Sequence, residues 1–482
     1  MGKECNGDYS HVLKYTGVFG SVQGLNILSA LARNKVAAIF LGPEGMGLAS
    51  LFQTAVNLIS QTTNLGISFS AVKHVSELFD SDNEERLAHF IKIVRAWSLL
   101  TGLIGMLVCI AGYPVLNQII FTGGNHLLHF MLLSPLLFLL ALTGGEIAIL
   151  KGTRLLKQLA YIQLLNVMAS LLIAVPIYYF MGLRGIVPVM VLMGIVSMCL
   201  TIYYSYKLYP LHLKGAMGIL GEGMSMVRLG ISFTLAGILG SCAEFAIRIF
   251  LNSFEGLETV GLYNTGFTMT MLYAGVVFSA MEVDFFPRLS AVSRQVKAYN
   301  DLINKQAEVS LLLIGAIIPL AILLLPFIIP LLTSNEFLPV VNVMRLMALS
   351  LYLRSINLSL EYLSLAKGDS KSYLFLEAIY DIALVVLVVS GYHYGKLLGT
   401  GYALLFLSIF NFLIVSTYMY VKYKVKLQMS VLKYLLVHFL LGIITFLITQ
   451  VMDGIAYWII GSILSLLGVF FSFTVLNMKN KE

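Results

Sequence analysis

Charge is scarce in this sequence. Of 482 residues only 11% are Asp, Glu, Lys or Arg, while 59% are hydrophobic and the mean hydropathy is +0.88. A soluble globular chain is about a quarter charged, so the composition excludes an ordinary water-soluble domain and describes a chain that crosses a membrane many times. Cysteine is nearly missing as well. Cys5, Cys109, Cys199 and Cys242 show no metal-type spacing and three of them fall inside apolar stretches, which leaves small buried side chains rather than a disulfide framework or a zinc site. There is no G-x-x-x-x-G-K-[ST] phosphate loop, no H-E-x-x-H and no Cys-x-x-Cys, so neither an ATPase nor a metalloenzyme is indicated, and no cofactor is expected. Residues 1–10 are polar and lack a basic region followed by a short apolar core, so no cleaved signal peptide is expected.

What is present is apolar length. A spanning helix needs roughly 20 mostly apolar residues. Fourteen stretches qualify, near 14–41, 47–72, 96–114, 130–150, 159–181, 186–206, 229–252, 263–287, 307–331, 341–365, 374–393, 400–420, 434–452 and 455–476. The expected fold is therefore an all-α polytopic membrane protein with about 14 transmembrane helices. Of the 31 Lys and Arg, 24 fall in alternate connections that share one side, and only Arg184 and Lys396 fall in the opposite loops. The positive-inside rule puts both termini in the cytoplasm. That distribution, rather than a basic patch, accounts for the net charge of +7, so nucleic acid is not an expected partner and the lipid bilayer is. The opposite loops are short, the longest near 115–129, which leaves no room for an external catalytic domain. The longer connections 73–95 and 288–306 are amphipathic and are expected to lie on the membrane surface.

The chain is also written twice. Gly42-Pro43-Glu44-Gly45-Met46-Gly47-Leu48 reads G-x-E-x-x-G-L, and so does Gly256-Leu257-Glu258-Thr259-Val260-Gly261-Leu262, 214 residues later. Close to the same offset, Glu146 with Lys151-Gly152 returns as Glu361 with Lys367-Gly368, and Gln163, Tyr178 and Gly185 return as Glu377, Tyr392 and Gly399. The offset covers six spans, an even number, so both copies keep one orientation and form a parallel repeat of the kind that builds transporters. The expected organisation is a first lobe at 1–206 (helices 1–6), a basic cytoplasmic linker at 207–228, a second lobe at 229–420 (helices 7–12) and two added helices at 421–482.

Several motifs carry a resemblance: Leu41-Gly-Pro-Glu-Gly-Met-Gly47, Leu51-Phe52, Asn64-Leu-Gly-Ile67, Ala71-Val-Lys73 and Phe286-Pro287-Arg288-Leu289-Ser290. With these the chain resembles the polysaccharide flippases of the multidrug/oligosaccharidyl-lipid/polysaccharide superfamily, in particular bacterial O-antigen translocases. The resemblance implies two six-helix bundles around a central cavity, working by alternating access without ATP, with a proton or sodium gradient as the energy source. It implies a polyprenyl-pyrophosphate-linked oligosaccharide as cargo, other polysaccharide-assembly membrane proteins as partners, and the inner, cytoplasmic membrane of a bacterium as location. The two added C-terminal spans resemble those of the lipid II flippases in the same superfamily.

Polar residues inside apolar spans are the candidate cargo contacts. Gln53, Asn57, Gln61, Asn64 and Ser68 follow steps of four, four, three and four, which keeps them on one helical face. Facing lipid, the stripe would leave amides without partners at about 1–3 kcal/mol each, so it faces a cavity or another helix. Amides that both donate and accept suit sugar hydroxyls; hydrogen bonds between helices are the alternative. Arg33, Lys35, Arg248, Arg345 and Arg354 lie within apolar segments, where a cation costs at least about 2.5–3.5 kcal/mol unless it faces a cavity or a partner. Arg33, Lys35 and Arg345 could instead snorkel from helix ends, and Arg248 could pair with Glu244. Arg354, Asn357 and Glu361 share a face, and a guanidinium at that depth matches a pyrophosphate, with an ion pair to Glu361 as the alternative. Glu282, Asp284, Glu361 and Asp381 are candidates for a coupling proton or cation.

Under the 214-residue offset, Gln53, Asn57, Gln61 and Asn64 map to Phe267, Met271, Gly275 and Phe278, so the amide stripe belongs to the first lobe alone. The reading that follows is a flippase whose first lobe meets sugar and whose second lobe clamps phosphate. Two competitors remain: a cation-coupled multidrug exporter of the same superfamily, and a membrane-embedded glycan polymerase or ligase, which the short external loops and the repeat disfavour.

Overall fold

Helices dominate because nearly every long stretch lacks water to satisfy its backbone, and a helix satisfies N–H and C=O groups within the segment. The computed structural model describes the backbone of residues 5–81, 83–120, 127–210 and 219–479. Side chains at 5–30, 156, 219, 220, 229, 232, 233, 272–274, 276, 277 and 279–284 are outside the described set. Among the described residues there are fourteen α-helices and no strand. In chain order they are α1 (Cys5–Thr63), α2 (Ile67–Asp80), α3 (Glu84–Ile120), α4 (Leu127–Gly152), α5 (Leu156–Met181), α6 (Ile186–Leu208) and the single turn α7 (Ile219–Glu222). The series continues with α8 (Met224–Glu255), α9 (Leu257–Val292), α10 (Val296–Leu332), α11 (Val341–Ala366), α12 (Ser370–Tyr423), α13 (Met429–Val451) and α14 (Gly454–Lys479). Among the described residues ten helical stretches are long and apolar enough to cross a membrane, which makes this a multi-pass membrane protein.

Two helices are bent into two arms each. In α1 the bend is at Gly42, with φ 61°, followed by Pro43. Glycine adopts that backbone without a Cβ clash, and the proline ring removes the N–H that would continue the ladder. In α12 the bend is at Gly395 and Lys396, and its arms return so closely that a Cβ on Gly399 would lie 1.8 Å from the carbonyl oxygen of Gly391. Counting both arms of α1 and α12 and omitting the short α2 and α7, the long arms number fourteen among the described residues, the same as the apolar stretches in the sequence.

One local reading is corrected. The stretch near 47–72 is not one helix: α1 ends at Thr63, Leu65 and Gly66 take φ of 51° and 69°, and α2 starts at Ile67. The break fits against Gly230 of α8, whose carbonyl oxygen would be 2.2 Å from a Cβ on Gly66. The amphipathic connections 73–95 and 288–306 are formed by α2 and the start of α3, and by the end of α9 and the start of α10, joined by short turns near 81–83 and 293–295.

Contacts divide the chain into two compact units, Met1–Phe245 and Ala246–Glu482. In the first, α3 packs on α4, and α4 on α2 and α6. In the second, α11 is the most enclosed span, with 78% of its apolar window buried. Leu346, Tyr352, Ile356 and Leu360 on α11 join Ile303, Leu311 and Ile318 on α10 in the core. The two C-terminal helices are built into this unit by polar bonds as well as apolar contact. Arg345 on α11 donates to Ile322 O (3.2 Å) and to the Tyr457 hydroxyl of α14 (3.1 Å), and that hydroxyl donates to Leu323 O at 2.6 Å. Ser472 donates to Leu312 O at 2.8 Å and meets His438 Nε2 at 3.1 Å, while Lys479 pairs with the buried Glu308.

Candidate functional site

The site grows from the helical spacing of α11. Met347, Ser350, Arg354, Asn357 and Glu361 step along one face of that helix. The hairpin bend in α12 brings both of its arms to the same face, with Glu377 and Tyr380 on the first and Ser408 and Asn411 on the second. Together with Phe267 and Met271 of α9 they enclose a cavity of about 90 Å³. Ser408 Oγ donates to Ser350 O at 2.9 Å and fixes the second arm of α12 to α11. Asn411 Nδ2 donates to Glu361 Oε1 at 3.3 Å.

Arg354 stands close enough to Glu361, Glu377 and Tyr380 to interact with each through its field. Among the described residues no ion pair within 4.0 Å involves it, so the Arg354–Glu361 pair that the helical spacing allows is not formed. Asn357 is buried, and its Oδ1 has no hydrogen-bond partner among the described residues. The cavity therefore offers one guanidinium, two carboxyl groups and one unused amide acceptor, surrounded by apolar helix. A buried amide oxygen without a partner costs about 1–3 kcal/mol, and a bound donor would recover it.

Arg354, Asn357 and Glu361 are brought together. Asp381 is buried on α12, one turn beyond Glu377, beside Tyr380 but outside the cavity lining. Arg248 is buried on α8 and donates to Asn264 Oδ1 at 2.8 Å. Arg33 is exposed and Lys35 half-buried on the first arm of α1. Glu282 and Asp284 belong to α9, and their side chains lie outside the described residues.

The amide stripe occupies the first unit. Gln53 and Asn57 are exposed and joined by a 2.9 Å bond from Nε2 to Oδ1. Gln61 is seated against Gly237 of α8, where a Cβ would come within 2.5 Å of its Oε1. Asn64 lies in the break between α1 and α2, donates to Ser68 Oγ at 2.8 Å, and keeps a buried Oδ1 without a partner among the described residues. The outer half of the stripe is thus open and the inner half packed.

Sequence reasoning missed Tyr380, Ser408 and Asn411. Asn411 carried a signal, since it is a lone amide in the apolar run Phe410-Asn411-Phe412. It also missed the polar centre of the first unit. Glu146 on α4 accepts from Arg95 Nε at 2.7 Å and NH2 at 3.2 Å, and from Ser205 Oγ at 2.6 Å. Arg95 further donates to Tyr209 O at 2.9 Å and lies 4.1 Å from the centre of the Tyr206 ring.

A family model described as polysaccharide biosynthesis protein matches residues 12–293, more than half of the chain. Among solved structures, the lipid II flippase MurJ in an inward closed conformation superposes with a TM-score of 0.71 at 14% identity, covering 96% of this chain and 100% of that one. An inward-facing multidrug resistance MATE family transporter of the MOP superfamily gives a TM-score of 0.65 at 17% identity, over 82% and 95% of the two chains. A MOP superfamily transporter from Pyrococcus furiosus gives 0.59 at 14% identity, over 84% and 94%. No curated protein sequence matches significantly. At such identities the likeness is one of fold, and the fold is that of the MOP superfamily.

Proposed function

Because the chain belongs to the polysaccharide biosynthesis protein family, we propose that it moves a polyprenyl-pyrophosphate-linked oligosaccharide, such as an O-antigen unit, across the bacterial cytoplasmic membrane by alternating access. The observation that carries the reading is Arg354, a cation inside an apolar unit that lines a cavity and holds no ion pair within 4.0 Å among the described residues. Leaving a guanidinium there costs several kcal/mol unless an anion completes it, and its planar fork matches phosphate oxygens in pairs. Asn357 Oδ1 supplies a nearby acceptor for a cargo hydroxyl. In the first unit the open amides Gln53 and Asn57 suit sugar hydroxyls, since each can donate and accept. The repeats 1–206 and 229–420 are the bodies whose movement would alternate access, with both termini cytoplasmic. Glu361, close to Arg354, would take up a proton or a sodium ion when the anionic cargo leaves. Asp381, Glu282 and Asp284 are further candidates for that role.

The test is Arg354→Ala in a strain that depends on this chain for surface glycan. Loss of surface glycan with normal protein abundance is expected, with partial activity in Arg354→Lys. Normal glycan in the alanine variant would remove Arg354 from the mechanism and the reading with it. A second reading, cation-coupled drug export, draws on one feature: Glu361 and Glu377 give the cavity more acid than base. Drug resistance conferred by overexpression, with unaltered glycan after deletion, would favour that reading.

A further inference from the structure

The repeat relates the walls of the second-unit cavity to positions in the first unit. Counting back 214 residues, Met271 corresponds to Asn57, Glu377 to Gln163, Tyr380 to Asn166 and Asn411 to Ser197. The packing keeps the same correspondence. Ser408 bonds Ser350 O where α12 meets α11. The residues 214 earlier, Gly194 on α6 and Leu136 on α4, also meet, since a Cβ on Gly194 would lie 2.5 Å from Leu136 Cδ1. Tyr380 and Asn411 sit on the two arms of α12 and line one cavity. Their counterparts Asn166 on α5 and Ser197 on α6 are joined directly, Asn166 Nδ2 donating to Ser197 Oγ at 3.3 Å.

The two walls differ at every ionisable position. Arg354, Glu361 and Glu377 of the second unit correspond to Leu140, Ile147 and Gln163 of the first. The nearby Glu146 is held by Arg95 and Ser205. What the first wall carries is amide and hydroxyl without charge. Asn166 and Ser197 are half-buried, and Asn57 and Gln163 are exposed. Asn166 Oδ1 is a buried acceptor with no hydrogen-bond partner among the described residues. Inside an apolar span such an oxygen costs about 1–3 kcal/mol until a donor reaches it. Ser197 Oγ, accepting from Asn166, can donate in turn. The pair therefore sets an acceptor beside a donor, which is the complement of two neighbouring ring hydroxyls.

On the flippase reading, we propose that Asn166 and Ser197 form a subsite for an uncharged sugar ring of the cargo and favour a neutral over an acidic sugar. Asn166 Oδ1 accepts from one ring hydroxyl, and Ser197 Oγ donates to its neighbour. A sugar carboxylate would meet no cation at these positions and would give up its water without a replacement. Phosphate recognition stays with Arg354 in the second unit, so the two units read different parts of one cargo.

Affinity measurements on the full chain purified in detergent test this with three probes: geranyl pyrophosphate alone, the same lipid pyrophosphate linked to N-acetylglucosamine, and the same linked to glucuronic acid. The wild type is expected to bind the N-acetylglucosamine probe most tightly. Asn166→Leu removes the acceptor and should weaken that probe alone, roughly fivefold, the equivalent of about 1 kcal/mol. Ser197→Ala is a milder change and should lose part of the same preference, which keeps the proposal testable if the leucine variant fails to fold. Thr474→Ala removes a hydroxyl on α14 and should leave the preference intact. Arg354→Ala should weaken all three probes alike. Equal wild-type affinity for the neutral and acidic probes would overturn the subsite and leave Arg354 in place. So would a preference kept by both Asn166→Leu and Ser197→Ala, or one lost equally in Thr474→Ala. Failure of all three probes to bind the wild type would remove the flippase reading, and the subsite with it.

Discussion

In the first unit Glu146 is closed off: Arg95 holds both of its oxygens, Ser205 holds one again, and both side chains are buried. In the second unit Glu361, one residue off the repeat offset, accepts among the described residues from one amide, Asn411, and shares a cavity with Arg354 without forming an ion pair within 4.0 Å. Each copy of the sequence repeat carries a carboxyl group near this position, and among the described residues only the first has a complete set of partners. A fully hydrogen-bonded buried pair holds three helices together, whereas a partly satisfied group is available for a ligand or an ion. The contrast separates a carboxylate tied into the packing from one left open beside a cavity.

The largest effect is expected from breaking the closed copy. Glu146→Ala leaves Arg95 buried and uncompensated and should destabilise the protein by about 3–5 kcal/mol, read as a lower unfolding temperature in detergent. Replacing Arg95 and Glu146 together by methionine should restore most of that loss, because the desolvation of both charges disappears with the pair. A double variant as unstable as the single one would show that the pair is not the reason Glu146 matters.

Glu361→Gln should do the opposite. The amide keeps the size and a hydrogen bond, so stability should change by less than about 1 kcal/mol, while cargo transport is lost if the carboxyl group carries a coupling ion. Unfolding temperature and surface glycan measured on the same strain separate the two outcomes. A variant that transports normally would return Glu361 to the structural class.

A smaller effect sharpens the same comparison at the helix starts. Asp369 caps α12 by accepting from Ser372 N at 3.1 Å, whereas the equivalent Leu155 caps α5 with no side-chain bond. The Lys422 ammonium beside Asp369, with the Tyr423 hydroxyl, holds its carboxyl below the usual carboxylate range. A depressed carboxylate stabilises above its unfolded pKa and loses that contribution as pH falls through the folded value. Asp369→Ala should therefore cost about 1 kcal/mol at neutral pH, and the difference from wild type should shrink as pH drops from about 4 downwards. An unchanged gap at acidic pH would mean that the cap acts through its shape and not its charge.

Much of this was legible along the chain. Apolar length located the spans, the Lys and Arg distribution gave them an expected orientation, and the steps from Arg354 to Asn357 to Glu361 put three cavity residues on one face. The break at Asn64 to Gly66 was partly visible as a glycine, but the close approach that requires it comes from Gly230 of α8, far away in sequence. Asn411 could be suspected as an intramembrane amide. That it reaches Glu361 depends on the fold of α12 back upon itself, which local periodicity does not encode.

The sequence by itself determined that this is a twice-written, multi-pass helical membrane protein, because hydropathy and the repeat are properties of single segments and their order. Only the tertiary structure decided which of two equivalent carboxylates is tied down, which arginine holds helices together and which one lines a cavity. Arg345 and Arg354 lie on the same helix and carry the same charge. One is satisfied by Ile322, Asn342 and Tyr457, and the other has no ion pair within 4.0 Å among the described residues. The difference lies in what α10, α12 and α14 bring to each face of α11, and those contacts join residues from about 20 to more than 100 positions apart, beyond the reach of any local pattern.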